Sequence, residues 1–235
     1  TVMTGQLFDK ARLAYGFDKK NDIKGYNHPD EFGELNVGTS LDTPLRPDDF
    51  FLSDDEKIQF ILRHFKEIME TLGLDLTDES LQGPPQRVAK MFTKEIFKGL
   101  NPANRPSVSL FENKYQYNKM LIEKDITVIP HAAIIGKAHA GYISSGKVIG
   151  LSKINRFVDY YSRRPQVEER LTRQILEGLK EILDTNDVIV IVDAKHFCVS
   201  CRGIEDDASS TVTMAYDGAS INQQRRNEFL EFVRQ

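Results

Sequence analysis

The sequence contains no tryptophan, and only two of its 235 residues are cysteines. Two cysteines are too few for a disulfide scaffold, so the sequence does not indicate a small disulfide-rich secreted protein. No apolar run approaches the roughly 18 residues of a membrane span, and the N-terminal residues lack the apolar core of a secretory signal. We therefore expect a cytoplasmic protein that does not enter a membrane.

An excess of positive charge is also missing. The 31 Lys and Arg residues are outnumbered by 35 Asp and Glu residues, which gives a formal net charge of -4. Such a chain has no general attraction for nucleic acid, so we expect no nucleic-acid partner, and any phosphate-binding residues must be gathered locally. The hydrophobic fraction of 40% is enough to bury the core of a globular domain.

The chain divides by pattern near residue 53. Residues 1–52 are rich in Gly, Asp, Asn and Pro without sustained periodicity, which predicts an irregular N-terminal extension. Between residues 53 and 99 the spacing of apolar residues predicts two helices. The first is capped by Ser53 and Glu56, and the second begins after Gly83-Pro84-Pro85 and ends at Gly99.

Strands and helices follow in separate groups over residues 107–235. The predicted strands are 107–115, 120–129, 133–143, a segment from Asp187 to Arg202 that opens with a β-branched run, and 211–216. Helices are predicted over 152 to about 183 and over 222–234. Because strands and helices are grouped rather than alternating, the pattern favours an α+β fold.

The segment 194–203 carries the most reactive side chains. If it is extended, alternation places four of them on one face and Cys201 on the other: His196, Cys198, Ser200 and Arg202. The C-x-x-C spacing is also compatible with a zinc knuckle or a redox pair, although both need a turn at the cysteines. A purely structural interpretation, with Cys198 as a small core residue and His196 as its hydrogen-bonded neighbour, stays open.

Basic residues gather at two predicted helices. Ser152 is placed to cap a helix whose first turns carry Lys153 and Arg156, where free backbone N–H groups already favour an anion. Cations at a helix N-terminus oppose the helix dipole, so we predict that a phosphate offsets them. One face of the second helix carries a further set, which either extends this site or is solvated surface: Arg87, Lys90 and Lys94.

Two acidic residues, Glu168 and Glu169, follow Pro165 at a predicted helix start. Acidic residues are common there because they complement the helix dipole. Local physical chemistry therefore assigns neither of them a particular role.

Four segments together resemble the GTP cyclohydrolase I family: GPPQRVAKMF (83–92), VIGLSKINRFV (148–158), RRPQVEERLT (163–172) and DAKHFCVSCRGIEDDASSTVT (193–213). Separated blocks in the right order are far more specific than one short motif. The resemblance covers residues 53–235 and implies the tunnelling fold, an antiparallel sheet with helices on one side, preceded by a helical region. It also implies a toroidal homo-oligomer, a decamer whose active sites are shared between subunits.

The family resemblance also implies a reaction and residue roles. The family converts GTP and water to formate and 7,8-dihydroneopterin triphosphate, the first step of folate or tetrahydropterin biosynthesis. By motif, His196 matches a catalytic proton donor, Ser152 lies beside the ribose, Glu169 recognises guanine and Cys198 is a ligand of a catalytic Zn²⁺. The matched triphosphate-binding positions are Arg87, Lys90, Lys153, Arg156 and Arg202.

The sequence departs from the family at the zinc site. The family has a Cys-Glu-His-His segment that supplies two zinc ligands, whereas this chain reads DITVIPHAAIIGKA over residues 125–138 and is shorter. Cys198 alone cannot hold a catalytic zinc, which normally takes three protein ligands and a water. Three interpretations stay open: the natural polypeptide has a loop that this sequence lacks, a deletion has removed the metal chemistry, or His131 and His139 form a rearranged site.

Two other function classes compete with the zinc hydrolase. A metal-free homologue would bind GTP or a pterin as a regulator or scaffold. A deazaguanine reductase of the same general fold would use a cysteine nucleophile and a nicotinamide cofactor, but the retained triphosphate cluster argues against that class.

Overall fold

The structure, a computed structural model, describes residues 43–45, 52–130, 134–201 and 205–234. These residues fall into two compact units, one within Pro44–Lys94 and one within Glu95–Gln235 together with Thr43. The predicted N-terminal extension therefore lies almost entirely outside the described residues. Within the part of the chain that the structure describes, no helix is long and apolar enough to cross a membrane.

In the described part of the first unit there are three α-helices: α1 Asp54–Thr71, α2 Glu79–Gln82 and α3 Pro84–Met91. The predicted capping of α1 is confirmed. The Glu56 N–H donates to Ser53 Oγ at 3.3 Å, and the Ser53 N–H donates to Glu56 Oε2 at 2.8 Å. These reciprocal bonds satisfy backbone donors that the first turn of a helix leaves free, so they fix where α1 begins.

The second predicted helix ends earlier than expected. After Met91 the chain continues as a π-helical turn, Phe92–Ile96, followed by 3₁₀ turns at Lys98–Leu100 and Pro102–Asn104. The π turn changes the periodicity, so Lys94 does not continue the basic face of α3. Its ammonium instead pairs with the Asp54 carboxylate at 3.1 Å.

The second unit contains a four-stranded antiparallel sheet in the order β2-β3-β5-β6, and a separate β1-β4 pair. The strands are β1 Leu110–Glu112, β2 Met120–Val128, β3 Ile134–Ile143, β4 Lys147–Ile149, β5 Val188–His196 and β6 Thr211–Tyr216. The helices are α4 Leu151–Ser162, α5 Glu168–Leu183, α6 Phe197–Ser200 and α7 Gln223–Arg234, with a 3₁₀ turn at Gly218–Ile221. The predicted α+β class with an antiparallel sheet is confirmed.

Both faces of β5 are covered, which explains its uninterrupted β-branched run. Val188, Val190 and Val192 point into the main core with the apolar faces of α4 and α5. Ile189 and Ile191 point the other way and pack with Phe229 of α7. The two long helices thus lie on one face of the sheet, as the tunnelling fold implies, and α7 covers part of the opposite face.

Helix α5 approaches α4 closely at Gly178. A Cβ added to Gly178 would lie 2.4 Å from Cζ of Phe157, which is fully buried in the main core. Glycine is therefore needed here for the close approach of the two helices, although a glycine inside a helix normally weakens it.

We expect the Gly178→Ala substitution to lower the free energy of unfolding by about 1–3 kcal/mol, because the added methyl group overpacks the contact with Phe157. At an ordinary helix position the same change raises it by about 0.5–1 kcal/mol. Urea denaturation measures the difference. Arg173→Ala, at an exposed position of the same helix, is the matched control and should stay within about 0.5 kcal/mol of the wild type. A Gly178→Ala protein as stable as the wild type would contradict this account.

Candidate active site

The end of β5 and the beginning of α5 lie side by side for a geometric reason. The 16 residues of α5 span about 24 Å, and the 9 residues of β5 span about 30 Å. Asp184 caps α5 in the left-handed conformation, φ 50°, and the chain turns back along the helix. The last residue of β5, His196, therefore lies beside the start of α5.

A hydrogen-bonded group, here called the Glu168 network, occupies this place. Nε2 of His196 lies 2.7 Å from Oε2 of Glu168, and the Thr213 hydroxyl donates to Glu168 Oε1 at 3.1 Å. The Thr172 hydroxyl donates to the Glu168 backbone carbonyl at 2.9 Å and lies 2.6 Å from Thr213 Oγ1. Residues from α5, β5 and β6 thus meet at one carboxyl group.

The Glu168 carboxyl is almost completely removed from solvent. Its side chain is 1% exposed, whereas His196 is 24% exposed. Burial raises the pKa of Glu168 above the usual range for a glutamate, and the hydrogen bonds from His196 and Thr213 oppose this rise. A buried titratable group beside a more accessible histidine is a combination typical of functional sites.

The sequence analysis assigned Glu168 no role, although helical spacing places it on the buried face of α5. Glu168 precedes the buried Leu171 and Thr172 by three and four positions, and Ile175 follows on the same face. Glu169 lies off this face and is exposed. The position of Glu168 on the apolar stripe of α5 therefore predicts its burial.

The predicted strand through residue 203 is wrong. Strand β5 ends at His196, the helical turn α6 follows, and the Cys201 N–H donates to the Phe197 carbonyl at 2.9 Å. A helical turn rotates successive side chains by about 100° rather than 180°, so Cys198 and Ser200 do not share a strand face with His196. Both cysteines are exposed on a helical turn. A zinc knuckle or a redox pair needs such a turn, so the structure does not argue against those interpretations of the C-x-x-C spacing. Arg202 lies outside the described residues.

The start of α4 is organised differently from the prediction. Gly150 is the N-cap residue, with an extended backbone, and α4 begins at Leu151. Ser152 is therefore an exposed residue of the first turn and not the cap. Neither Lys153 nor Arg156 forms an ion pair with a described residue. These two cations and the uncapped helix N-terminus suit an anion such as a phosphate.

The remaining predicted residues are dispersed over the two units. Arg87 and Lys90 lie exposed on α3 of the first unit. In the second unit, the described contacts bring only His196 of the predicted set to Glu168. Lys153, Arg156, Glu169 and Cys198 have no hydrogen bond or ion pair to that network among the described residues.

The described residues do not fit a catalytic zinc site. No group of three or more His, Cys, Asp or Glu side chains among them could hold a metal ion. In the sheet, Val128 of β2 pairs with Gly136 of β3, so the connection in which the family has two ligands is short. His131 lies outside the described residues. We therefore assign no chemical step to zinc.

His139 has a structural partner instead. Its Nδ1 accepts a hydrogen bond from the Asp125 N–H at 3.3 Å, at the register shift between Glu123 and Ile126. Asp125 has φ 56°, and His139 is 6% exposed. The buried ring thus stabilises a β-bulge in β2.

The same ring should make stability depend on pH. Burial lowers the pKa of His139 below its ordinary value of 6.5. The folded state therefore resists protonation of this ring. The stability that the neutral ring contributes is intact above about pH 6.5 and is lost as the pH falls below that value.

We expect His139→Asn to weaken this acid sensitivity, because an Asn side-chain oxygen can accept the Asp125 N–H but does not titrate. Chemical denaturation at pH 8 and pH 5 measures the difference for both proteins. The wild type should lose more unfolding free energy than the variant between the two values. Equal losses would show that His139 does not titrate in a buried setting.

Comparison with known proteins agrees with the four sequence blocks. The family model for GTP cyclohydrolase I matches residues 61–234. A protein of Flavobacterium johnsoniae named GTP cyclohydrolase 1 is 51% identical over 210 residues, covering 87% of this chain and 94% of the relative. Proteins of the same name from Erwinia tasmaniensis and Escherichia coli are 47% and 45% identical, over 84% and 86% of this chain and over 92% and 93% of their own.

The family model spans most of the chain, and these relatives match it over nearly their full length. Its mixed helical and antiparallel architecture agrees with the tunnelling fold of that family. The chain therefore belongs to the GTP cyclohydrolase I family.

Proposed function

We propose that this chain catalyses the hydrolytic opening and rearrangement of GTP to 7,8-dihydroneopterin triphosphate and formate. The observation that carries the proposal is the 45–51% identity to proteins named GTP cyclohydrolase 1 over most of the chain. We place the activity in the cytoplasm, as the first step of folate or tetrahydropterin biosynthesis.

The triphosphate binds at the start of α4. Lys153 and Arg156 form no ion pair with a described carboxylate, and Gly150 caps the helix without a side-chain hydrogen bond, which leaves backbone N–H groups of the first turn for an anion. By family resemblance, three basic positions outside this helix are also assigned to the triphosphate: Arg87, Lys90 and Arg202. Local concentration of cations is what a chain with net charge -4 needs to bind a strongly anionic nucleotide.

The base and ribose are recognised by other residues of the second unit. Glu169 is exposed at the start of α5, so its carboxylate can accept the N–H groups of guanine, and a base without those donors would leave the bound carboxylate unpaired. Ser152, exposed in the first turn of α4, lies beside the ribose in this proposal.

His196 transfers protons to the imidazole ring of guanine as that ring opens. One water adds to C8 and the first C8–N bond breaks, which opens the ring to a formamide; a second water then hydrolyses the formamide, the second C8–N bond breaks, and C8 leaves as formate. Each nitrogen released from C8 must take a proton, and a histidine can supply it near neutral pH. Zn²⁺ with Cys198 as one ligand belongs to this proposal by family resemblance, but the described residues do not complete a ligand set, so no step is routed through the metal.

The second candidate function is a metal-free homologue that binds GTP or a pterin as a regulator or scaffold. The short connection between β2 and β3 favours it. The pairing of Val128 with Gly136 leaves only the segment between them, and that segment contains His131 but no cysteine. Such a protein would bind the nucleotide without opening its ring.

Formate release separates the two candidates. We expect purified protein to release formate from GTP, and Lys153→Ala and Arg156→Ala each to raise KM for GTP by about tenfold or more, as loss of a charge-assisted contact predicts. Arg173→Ala, which removes an exposed positive charge elsewhere in the second unit, is the matched control. Zinc content and intact mass are measured on the same sample.

The outcomes of this experiment are distinct. Formate release with bound zinc supports the cyclohydrolase, and a mass above 26.8 kDa would show that the natural polypeptide contains further residues. Tight GTP binding without formate, in protein of the expected mass, would contradict the proposal and support the metal-free homologue.

We further propose that the protein assembles through its sheet, as a homo-decamer with shared sites. In the described sheet, β2 and β6 are the outer strands. Val212 and Met214 of β6 are 60% and 44% exposed. An open edge strand with apolar side chains is a pairing surface for another sheet edge.

We expect the wild type to sediment as an assembly far larger than the 26.8 kDa chain. Lysine at both Val212 and Met214 should shift the protein toward smaller species, because charge on an edge strand opposes pairing. The matched control places lysine at Gln224 and Glu228, two exposed positions of α7. A monomeric wild type at micromolar concentration would rule out the proposed assembly.

A further inference from the structure

The two cysteines of the chain lie three positions apart on one helical turn. Cys198 belongs to α6, Cys201 is the C-cap residue of that helix, and the Cys201 N–H donates to the Phe197 carbonyl at 2.9 Å. This hydrogen bond joins residues four apart and closes one α-helical turn. Residues three apart on such a turn lie on the same side of it. The Cβ atoms of Cys198 and Cys201 are therefore neighbours on one side of the turn.

The spacing of the two residues suits a disulfide bond. In an α-helix, a rise of about 1.5 Å per residue and a radius of about 2.3 Å place Cα atoms three residues apart at about 5 Å. Disulfide-bonded cysteines have Cα atoms about 4.4–6.8 Å apart. The Cβ atoms, which lie about 5–6 Å apart in a regular helix, must approach each other by about 1–2 Å. Because α6 has only 4 residues, small backbone rotations within it can supply this approach.

Both thiol groups are open to a small molecule. Cys198 and Cys201 are exposed, whereas Phe197 and Val199 on the same turn are partly buried. Sγ of Cys201 lies 3.9 Å from Oγ of Ser200, and a thiol is at most a weak hydrogen-bonding partner at such a distance. Exposed cysteines take part in disulfide exchange, whereas buried structural cysteines are inert. The turn thus presents its two cysteines to the solvent.

The turn is held in place by the elements on either side of it. It continues directly from β5, and the Asp206 N–H donates to the Val199 carbonyl at 3.2 Å. The Lys195 ammonium donates to the Asp207 carbonyl at 2.6 Å. These contacts keep both cysteines on one short, anchored segment. A group bound to one thiol therefore stays within reach of the other, which gives the second step a high effective concentration.

Of the two open interpretations of the C-x-x-C spacing, the described residues favour the redox pair. A zinc knuckle needs four ligands, and no group of three or more His, Cys, Asp or Glu side chains in the described segments could hold a metal ion. A redox pair needs only two thiols at this spacing on a turn. Cys198 and Cys201 are sufficient by themselves for that chemistry.

We propose that Cys198 and Cys201 form a redox-active dithiol that exchanges with low-molecular-weight disulfides such as oxidised glutathione. The thiolate of one cysteine attacks a sulfur of the disulfide, forms a mixed disulfide and expels one glutathione thiolate. The thiolate of the other cysteine attacks the protein sulfur of the mixed disulfide, forms the Cys198–Cys201 bond and expels the second glutathione thiolate. The two protons of the cysteines pass to the two thiolates, so the protein is oxidised and glutathione is reduced by two electrons.

This chemistry goes beyond the proposed function and does not depend on it. Disulfides that form in reducing compartments are usually transient, and exposed or strained disulfides are the ones most easily reduced. We therefore expect the bond to form when a small disulfide is in excess and to open when a small thiol is in excess. The pair is a site of reversible covalent modification.

The test uses the reduced, folded protein with oxidised glutathione at pH 8, under exclusion of air. We expect the wild type to release two glutathione molecules per chain, to lose two hydrogen atoms in intact mass and to lose both sites of alkylation by iodoacetamide. Residues 196–202 form one tryptic peptide that contains both cysteines, so its mass locates the bond. Dithiothreitol should restore both alkylation sites.

Two variants test the spacing. Cys201→Ser should stop at the mixed disulfide, with one glutathione attached to the chain and one released. The matched control keeps the number of thiols: Ser200→Cys combined with Cys201→Ser places the second cysteine two positions from Cys198. A helical rotation of about 200° turns it to the other side, so this protein should retain glutathione instead of closing the bond.

Three results would overturn the proposal. A wild type whose cysteines react only in urea would show that they are not accessible in the folded chain. A wild type that retains glutathione on both cysteines, or that links two chains through them, would show that the two thiols do not meet within one chain. Because all of these measurements are masses and thiol counts, they give the same answer whether or not the protein releases formate.

Discussion

The packing of α5 across β5 is the constraint on which the candidate site depends. The apolar face of α5, including Leu171, Ile175 and Leu179, buries Val190 and Val192 of the strand in one core. Because the chain reverses at Asp184, the packing of α5 on β5 sets the positions of both the start of α5 and the end of β5. Glu168 can contact His196 only while α5 keeps its position on the sheet. The geometry of the site therefore depends on the packing of the core.

The same packing explains how a carboxyl group can be buried beside a site. Glu168 occupies the first turn of α5, where backbone N–H groups are free and a negative charge is favoured. Its remaining partners come from the next strand of the sheet, through Thr213, and from its own helix, through Thr172. A buried polar group that makes all its hydrogen bonds fixes the relative orientation of the elements around it and leaves no unpaired charge.

Sequence patterns predicted the regular elements well and the ends of elements poorly. The capping residues Ser53 and Glu56 fixed the start of α1, and alternation gave the bounds of β6 correctly. Strand propensity could not show that β5 stops at His196, because the next residues are also apolar and only tertiary contacts decide where the sheet ends. Because of that error, the sequence analysis placed Cys198 on one strand face with His196, whereas Cys198 lies on a helical turn.

The candidate site could be predicted only in part, because local patterns identify some of its residues and contacts between distant segments identify the others. The basic residues at the start of α4 followed from helix electrostatics, whereas the partner of His196 is a contact between segments far apart in the chain. Position on the apolar stripe of α5 predicts that Glu168 is buried, but not which histidine it meets. The short link between β2 and β3, read directly from the sequence, is where this chain departs from the zinc-ligand segment of its family.

The most direct test of the account follows the carbon at position 8 of guanine. GTP labelled with ¹³C at C8 is incubated with the purified protein, and the label is traced by NMR. A site that opens the imidazole ring places the label in formate, and this is the result we predict. If the nucleotide binds and the label stays at C8 of intact GTP, the chain is a nucleotide-binding member of its family, and the catalytic account is contradicted.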